Sequence, residues 1–446
     1  MHNIRDFGAA GDGATDDTPA IEHALSEGGG VLYFPPGQYR ITRTVEIDLA
    51  QRGPAAIWSP GGAELIMAGG GPALRLTGSH DGTADPWSLT EATFGTERFP
   101  ALRGIAILGD HPEADGVELV KTFQATLDAV LIRRVRHGIR LAERNRNVLI
   151  SGCHIFQNTG AGIYFDGVNL HQAIISASHL SYCRLGGIRI ERSEIRNLQI
   201  TGNDIEYNNT KAHKGKGEEP TAEIYVDVSA PGASMEEVTI ASNTIQATAT
   251  KGGCNIRIIE KGGEGRPPGI WAISGNIIGS QENNVHLTGC AGVTLSGNFI
   301  YSCGHRNVLA EDCTGINLSG NNFRRHTGQF GTGVRFARCR DSLLTGCAFA
   351  DESEAGQQSG ASLLELDGCE RIQVTGCQFV GGAPYAIDAH DCRRLMVANC
   401  TAHDPRPSKA AKASARLSGS GEANRFALNA FEDGIDAADG AGLADG

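Results

Sequence analysis

Aromatic side chains are scarce, with 3 Trp, 8 Tyr and 15 Phe, and methionine is scarcer still at 4. Set against 60 glycines in 446 residues, that shortage argues against a helix-rich protein. Cations are in deficit, since 39 Lys and Arg face 51 Asp and Glu for a net charge of −12. A nucleic-acid binder needs the opposite balance to neutralise phosphates, so that class is disfavoured. No apolar run approaches the roughly 18 residues of a membrane-crossing helix. The 12 cysteines show no CxxC pair and no Cys/His spacing of zinc type. No basic and then apolar leader precedes "HNIRDFGAAGDG", which predicts a cytoplasmic protein, or a secreted one if a leader has been removed.

What the chain does have is a repeat, strongest from about residue 115 to 400. Segments such as "NVLISGCHIF", "NLQITGNDIEY", "GVTLSGNFIY" and "RIQVTGCQF" recur with one turn position occupied by Cys153, Ser178, Asn203, Asn243, Asn276, Asn298, Asn321, Cys347, Cys377 and Cys400. The steps between them are 25, 25, 40, 33, 22, 23, 26, 30 and 23 residues. A coil of that length with three short strands predicts a parallel β-helix, its coils stacked at about 4.8 Å. Asparagine at the turn is expected to adopt the left-handed conformation and to bond its own kind in the next coil. Leucine-rich and propeller signatures are absent. Cys290, Cys313, Cys339, Cys369 and Cys392 recur at another repeat position, as expected for an internal ladder of small buried thiols.

The beginning differs. "GATDDTPAIEHALSEGG" reads as a helix start, with Thr18 as N-cap, Pro19 at the first helical position and acids in the first turn. That helix is expected to cover the open end of the stack. "IRDFGAAGDGATDDTPAIEHAL" followed by "GGGVLYFPPGQYRI" resembles the opening of the pectate-lyase-like superfamily of right-handed parallel β-helix proteins. That group includes polygalacturonases, polysaccharide lyases, uronan epimerases, fructotransferases and phage tailspikes. The resemblance implies an all-β, single-stranded right-handed parallel β-helix with an N-terminal capping helix. The expected extent is residues 1–402, with the cap and first strand in 1–45. Residues 403–446 lose the repeat and are expected to form a C-terminal cap or partly disordered tail. Asp16 and Asp17 are read as helix-capping. The Asn-Thr-Asp, Asp-Asp and Gly-His-Gly motifs of polygalacturonases are missing from the repeat strands, which argues against that particular activity.

Aligning the strands that precede each turn segment gives the candidate site. In "GIYFD" (162–166), "GIRIE" (187–191) and "EIYVD" (223–227) the second and fourth residues are aliphatic or Phe and point inward. The third and fifth then point outward. Asp166, Glu191 and Asp227 fall on consecutive coils beside Tyr164, Arg189, Tyr225 and Arg257, with His286 one coil on. Stacked like charges are expected to force one carboxyl pKa upward, the condition for an acid beside a base. The longest insertion, 208–221, brings Lys211, His213, Lys214 and Lys216 as a basic lid. The leading expectation is a glycoside hydrolase working with paired carboxylates. Asp227 would be the acid and Asp166 or Glu191 the base or nucleophile. Tyr164, Arg189, Tyr225, Arg257, His286, His213 and Lys214 would bind an oligo- or polysaccharide. A lyase or epimerase on a uronic-acid polymer is the alternative, with His213, Lys214, Tyr225 and Arg189 moving the proton. A non-catalytic, tailspike-like glycan binder, a homotrimer, is the third. No cofactor is expected, although an acidic cluster of this kind can hold calcium; the flanking arginines oppose a strong site. An outward polar column is also what any soluble sheet needs. Trp271 is expected in the core, His171, His179 and His305 in structural roles, and Trp87 stays unassigned.

Overall fold

The structure, a computed structural model, describes residues 2–27, 30–82, 84–209, 221–262, 269–325, 331–353 and 360–444. It divides into two compact units, residues 1–236 and 237–446. Among the described residues no helix is long and apolar enough to cross a membrane.

The first unit is a stack of parallel strands. Val45–Asp48, Gly71–Thr77, Ala114–Phe123, Ile139–Ser151, Ala161–Ser176, Gly186–Glu191 and Ala222–Asp227 pair in succession, each with its counterpart one coil away. Side chains alternate across each strand. Ile188, Ile190, Ile224 and Val226 are therefore buried in the interior, while Arg189, Glu191, Tyr225 and Asp227 are half-buried on the outer face. The helix Thr18–Glu27 buries Ile21, Ala24 and Leu25 and lies against the strands Val31–Tyr33 and Val45–Asp48. Its first turn carries no acid, contrary to the sequence reading. Asp16 supplies the acceptor at the helix start, taking bonds from the Thr18 amide at 3.0 Å and hydroxyl at 2.5 Å. Asp17 instead fastens the preceding loop, accepting from the amides of Ala10 and Gly11 at 2.6 and 3.1 Å.

The second unit repeats the architecture through Cys254–Ile259, Ile277–Thr288, Phe299–Glu311, Val334–Ala337, Leu364–Asp367 and Tyr385–His390. Pairing continues through Ala413–Ser418 to Ile435–Ala437, inside the segment read as a tail. The alternation is present there, with Ala413, Ala415 and Leu417 buried. Two of those three are alanines, too weakly apolar to register as a strand pattern. Phe323, Phe349 and Phe379 stack through the interior at 4.8 and 4.7 Å between ring centroids.

The turn asparagines form the ladder that the spacing implied, with one correction. The left-handed residue is the one before the asparagine: Ser242, Gly275, Gly297 and Gly320 have φ of 57°, 62°, 61° and 61°. The asparagine itself turns inward and acts as a pin. Asn298 Oδ1 accepts from the backbone and side-chain nitrogens of Asn276, both at 3.0 Å. Its Nδ2 donates to Ile273 O and to Asn321 Oδ1, both at 2.9 Å. Asn298→Ala strands several buried polar groups, each costing about 1–3 kcal/mol. We expect about 3–5 kcal/mol of lost stability in urea unfolding of the intact protein. All twelve cysteines are buried free thiols. Several donate to a carbonyl of the coil before, as Cys369 does to Phe336 O at 3.3 Å, and burial pushes the Cys183 thiol up to about 12.

Candidate functional site: the outer column of the first unit

The strand register aligns two outward columns. Arg140, Tyr164, Arg189 and Tyr225 are successive partners in one, and Ala142, Asp166, Glu191 and Asp227 in the other. Further back, Glu46, Arg75, Glu118 and Arg140 alternate in sign along the first column. Glu118 is clasped between Arg75 and Arg140. Opposite charges on facing strands attract where like charges would repel, so this stretch is a ladder of ion pairs.

The ladder continues into the candidate site. Asp166 receives Arg140 at 2.7 Å and Arg192 at 2.6 Å. Glu191 receives Arg189 at 2.7 Å and the Tyr164 hydroxyl at 2.9 Å. Arg192 also donates to the Tyr164 hydroxyl at 3.2 Å. The Tyr164 ring stacks on His137 at 4.8 Å, and the Arg189 guanidinium lies 4.2 Å over the Tyr225 ring. Asp227 Oδ1 accepts from the amide and hydroxyl of Ser229 at 3.1 and 2.6 Å.

These contacts overturn the expectation that stacking raises a carboxyl pKa at Asp166 or Glu191. Burial alone would raise both, but Arg140 and Arg192 outweigh it at Asp166, and Arg189, with Tyr164, at Glu191. Both are held below the ordinary carboxylate value and stay ionised. Burial, with the nearby charge of Glu191, pushes Tyr164 up to about 12 against the opposing bond from Arg192. Arginine nitrogens also engage the acceptor oxygens that calcium would require, so Asp166 and Glu191 do not fit a calcium site.

Arg257 and His286 belong to the second unit, where they are register partners. Arg257 donates to Thr288 Oγ1 at 2.9 Å, and His286 Nε2 sits 2.8 Å from Glu311 Oε2. Burial, with the Arg257 charge, lowers the His286 pKa despite Glu311. His213 and Lys214, like Lys211 and Lys216, lie outside the described residues. Trp271 is in the core, its Nε1 donating to Glu260 at 3.2 Å. Trp87 is 91% exposed. His305 Nδ1 lies 3.0 Å from Asn283 Oδ1.

Two features escaped sequence reasoning. Arg192, at a turn outside both columns, bridges Tyr164 and Asp166; nothing in its position marks it. Glu223, on the Asp227 strand, is fully buried and accepts from the Asn208 amide at 2.9 and 3.0 Å and from its side-chain nitrogen at 2.6 Å. Burial pushes its pKa up to about 8 in spite of these bonds.

Comparison with known proteins adds the lineage. Residues 1–51 match a family model described as rhamnogalacturonase A/epimerase, pectate lyase-like. Among curated proteins, mannuronan C5-epimerase AlgE1 of Azotobacter vinelandii is 52% identical over 50 residues, 10% of this chain and 4% of that protein. Alginate lyase 7 of the same organism is 51% identical over 45 residues, 9% of this chain and 5% of the relative. The matched segments thus span only a small fraction of those relatives. Among solved structures, tailspike protein 3 of bacteriophage CBA120 superposes with a TM-score of 0.54 at 14% identity, covering 93% of this chain and 61% of that one. A tailspike of E. coli bacteriophage HK620, solved with a pentasaccharide, gives 0.53 at 12% identity, covering 90% and 76%. At such identities the likeness is one of fold. The right-handed β-helix model matches residues 110–217 and 224–402, more than half of the sequence. The chain belongs to the right-handed β-helix family.

Proposed function

We propose that the protein is a carbohydrate-active enzyme acting on an acidic, uronate-bearing polysaccharide. Its chemistry is removal of the proton next to the uronate carboxylate, the step that polysaccharide lyases and uronan epimerases share. The observation that carries this reading is the network in which Arg140, Arg189 and Arg192 surround Asp166, Glu191 and Tyr164. Arg140 is shared with Glu118, so Arg192 is the cation that an incoming anion meets. Arg192 is the most open, with 56% of its side chain exposed. A uronate carboxylate bound there has its charge neutralised, which acidifies the adjacent C–H. Asp227 is the base. Tyr164, its pKa raised to about 12, holds its proton at neutral pH as any tyrosine does, and it serves as donor. The two stand two coils apart, about 10 Å along the stack.

In elimination the C5 proton passes to Asp227 and the C–H electron pair becomes the C4–C5 double bond. The glycosidic oxygen leaves with the Tyr164 proton. In epimerisation the Tyr164 hydroxyl delivers its own proton to C5 from the opposite face, and Asp227 and the tyrosinate then exchange protons with solvent. Similarity to a mannuronan epimerase and an alginate lyase supports this choice. Glycosidic hydrolysis is the second reading, favoured by the direct pairing of Glu191 with Asp227. Facing carboxylates about 5 Å apart suit a retaining mechanism, but Asp166 and Glu191, held ionised, cannot supply the acid. A panel of uronate and neutral polysaccharides separates the readings. We expect unsaturated-uronate absorbance or an altered epimer ratio on uronates only. Reducing ends without either indicate hydrolysis, and binding without turnover indicates a glycan-binding protein; either result rejects the proposal.

A further inference from the structure

A second polar cluster lies on a different sheet of the first unit. The short strands His179–Ser181 and Asp204–Glu206 pair with His179 opposite Asp204 and Ser181 opposite Glu206. Leu180 and Ile205 are fully buried, so the other four side chains share the opposite face by strand alternation. His179 Nε2 stands 3.3 Å from Asp204 Oδ2 and 3.6 Å from Glu206 Oε1. The three donor atoms all lie within 4.8 Å of one another. A tetrahedral cation with bonds near 2.1 Å holds its ligand atoms about 3.4 Å apart, a spacing the two histidine distances bracket.

We propose that His179, Asp204 and Glu206 form a binding site for a divalent transition cation of the zinc type, stapling two successive coils. Two carboxylates balance the charge of a dication. The imidazole selects against calcium and magnesium, which prefer all-oxygen shells. A separate observation points the same way. Ser181, 1% exposed and opposite Glu206, has a buried hydroxyl with no hydrogen-bond partner. A water in the fourth coordination position would give that hydroxyl its missing bond. His154, one coil back, meets the His179 ring edge-on at 6.1 Å between centroids.

The test uses the full chain, stripped with a chelator and titrated with Zn²⁺ by calorimetry and with Co²⁺ by visible absorption. One site per chain is expected, with the intense d–d bands of four-coordinate cobalt and a melting temperature that climbs with free Zn²⁺. His179→Ala and Asp204→Asn, both at partly exposed positions, should fold and lose affinity by more than about 100-fold, beyond what loss of an outer partner costs. Absence of binding by the wild type overturns the proposal. So does unchanged binding in both variants, or thiolate-to-cobalt charge-transfer absorption, which would put the ion on the cysteine ladder.

Discussion

Between about pH 4.5 and 8 the protein should lose stability that its Glu223→Gln variant keeps. The folded-state pKa of Glu223 is raised from the ordinary 4.5 to about 8. Below 4.5 both folded and unfolded chains hold the proton, and the contribution is fully present. As pH rises, the unfolded chain gives up the proton first, so unfolding is favoured at each step until the folded carboxyl also ionises. At about 1.4 kcal/mol per pH unit, the loss is on the order of 4 kcal/mol across the window. Above it the curve flattens. The glutamine of the variant keeps an amide oxygen for Asn208 without ever charging, so this pH-dependent loss should be missing from its stability curve. Urea unfolding of both proteins at half-unit pH intervals checks this. Parallel curves would mean that the carboxyl ionises freely in the folded state.

Asp227→Asn carries the largest expected effect on turnover. The amide keeps an acceptor oxygen for Ser229, so stability should change by no more than about 0.5 kcal/mol. Removing the base should cost about 10²–10⁴ in rate. Glu191→Gln is the contrasting variant. It breaks the pair with Arg189, whose side chain is only 17% exposed, and should therefore lose stability as well as activity. If Asp227 is merely a solvated carboxylate, its variant will match the wild type in both measurements.

The register of the columns was legible because two periods coincide in the sequence. Alternation within "GIYFD", "GIRIE" and "EIYVD" fixed which side chains face out, and the turn signatures fixed which coils are neighbours. The charge state was not legible. It depends on Arg140 and on Arg192, the latter at a turn where the strand alignment has no column. Glu223 hid for a related reason: it opens the aligned strand segment, where its burial depends on closing against Asn208 and on no pattern of its own. The turn asparagines were assigned the left-handed conformation because asparagine tolerates it, yet the residues before them take it, usually glycine. That frees the asparagine side chain to point inward. The role of His179 was hidden because the aligned columns belong to one sheet. Its partners Asp204 and Glu206 sit on another, 25 and 27 residues on. The strands beyond residue 403 were missed because alanine fills positions that isoleucine fills elsewhere.

Proton removal from the uronate is the step on which the functional account stands. The direct measurement is to incubate wild type and Asp227→Asn with a uronate polysaccharide in D₂O and to follow the C5 position by NMR. The account predicts deuterium at C5 or a C4–C5 double bond with the wild type, and neither with the variant. Cleavage that leaves every C5 proton in place, or equal exchange by both proteins, would contradict it.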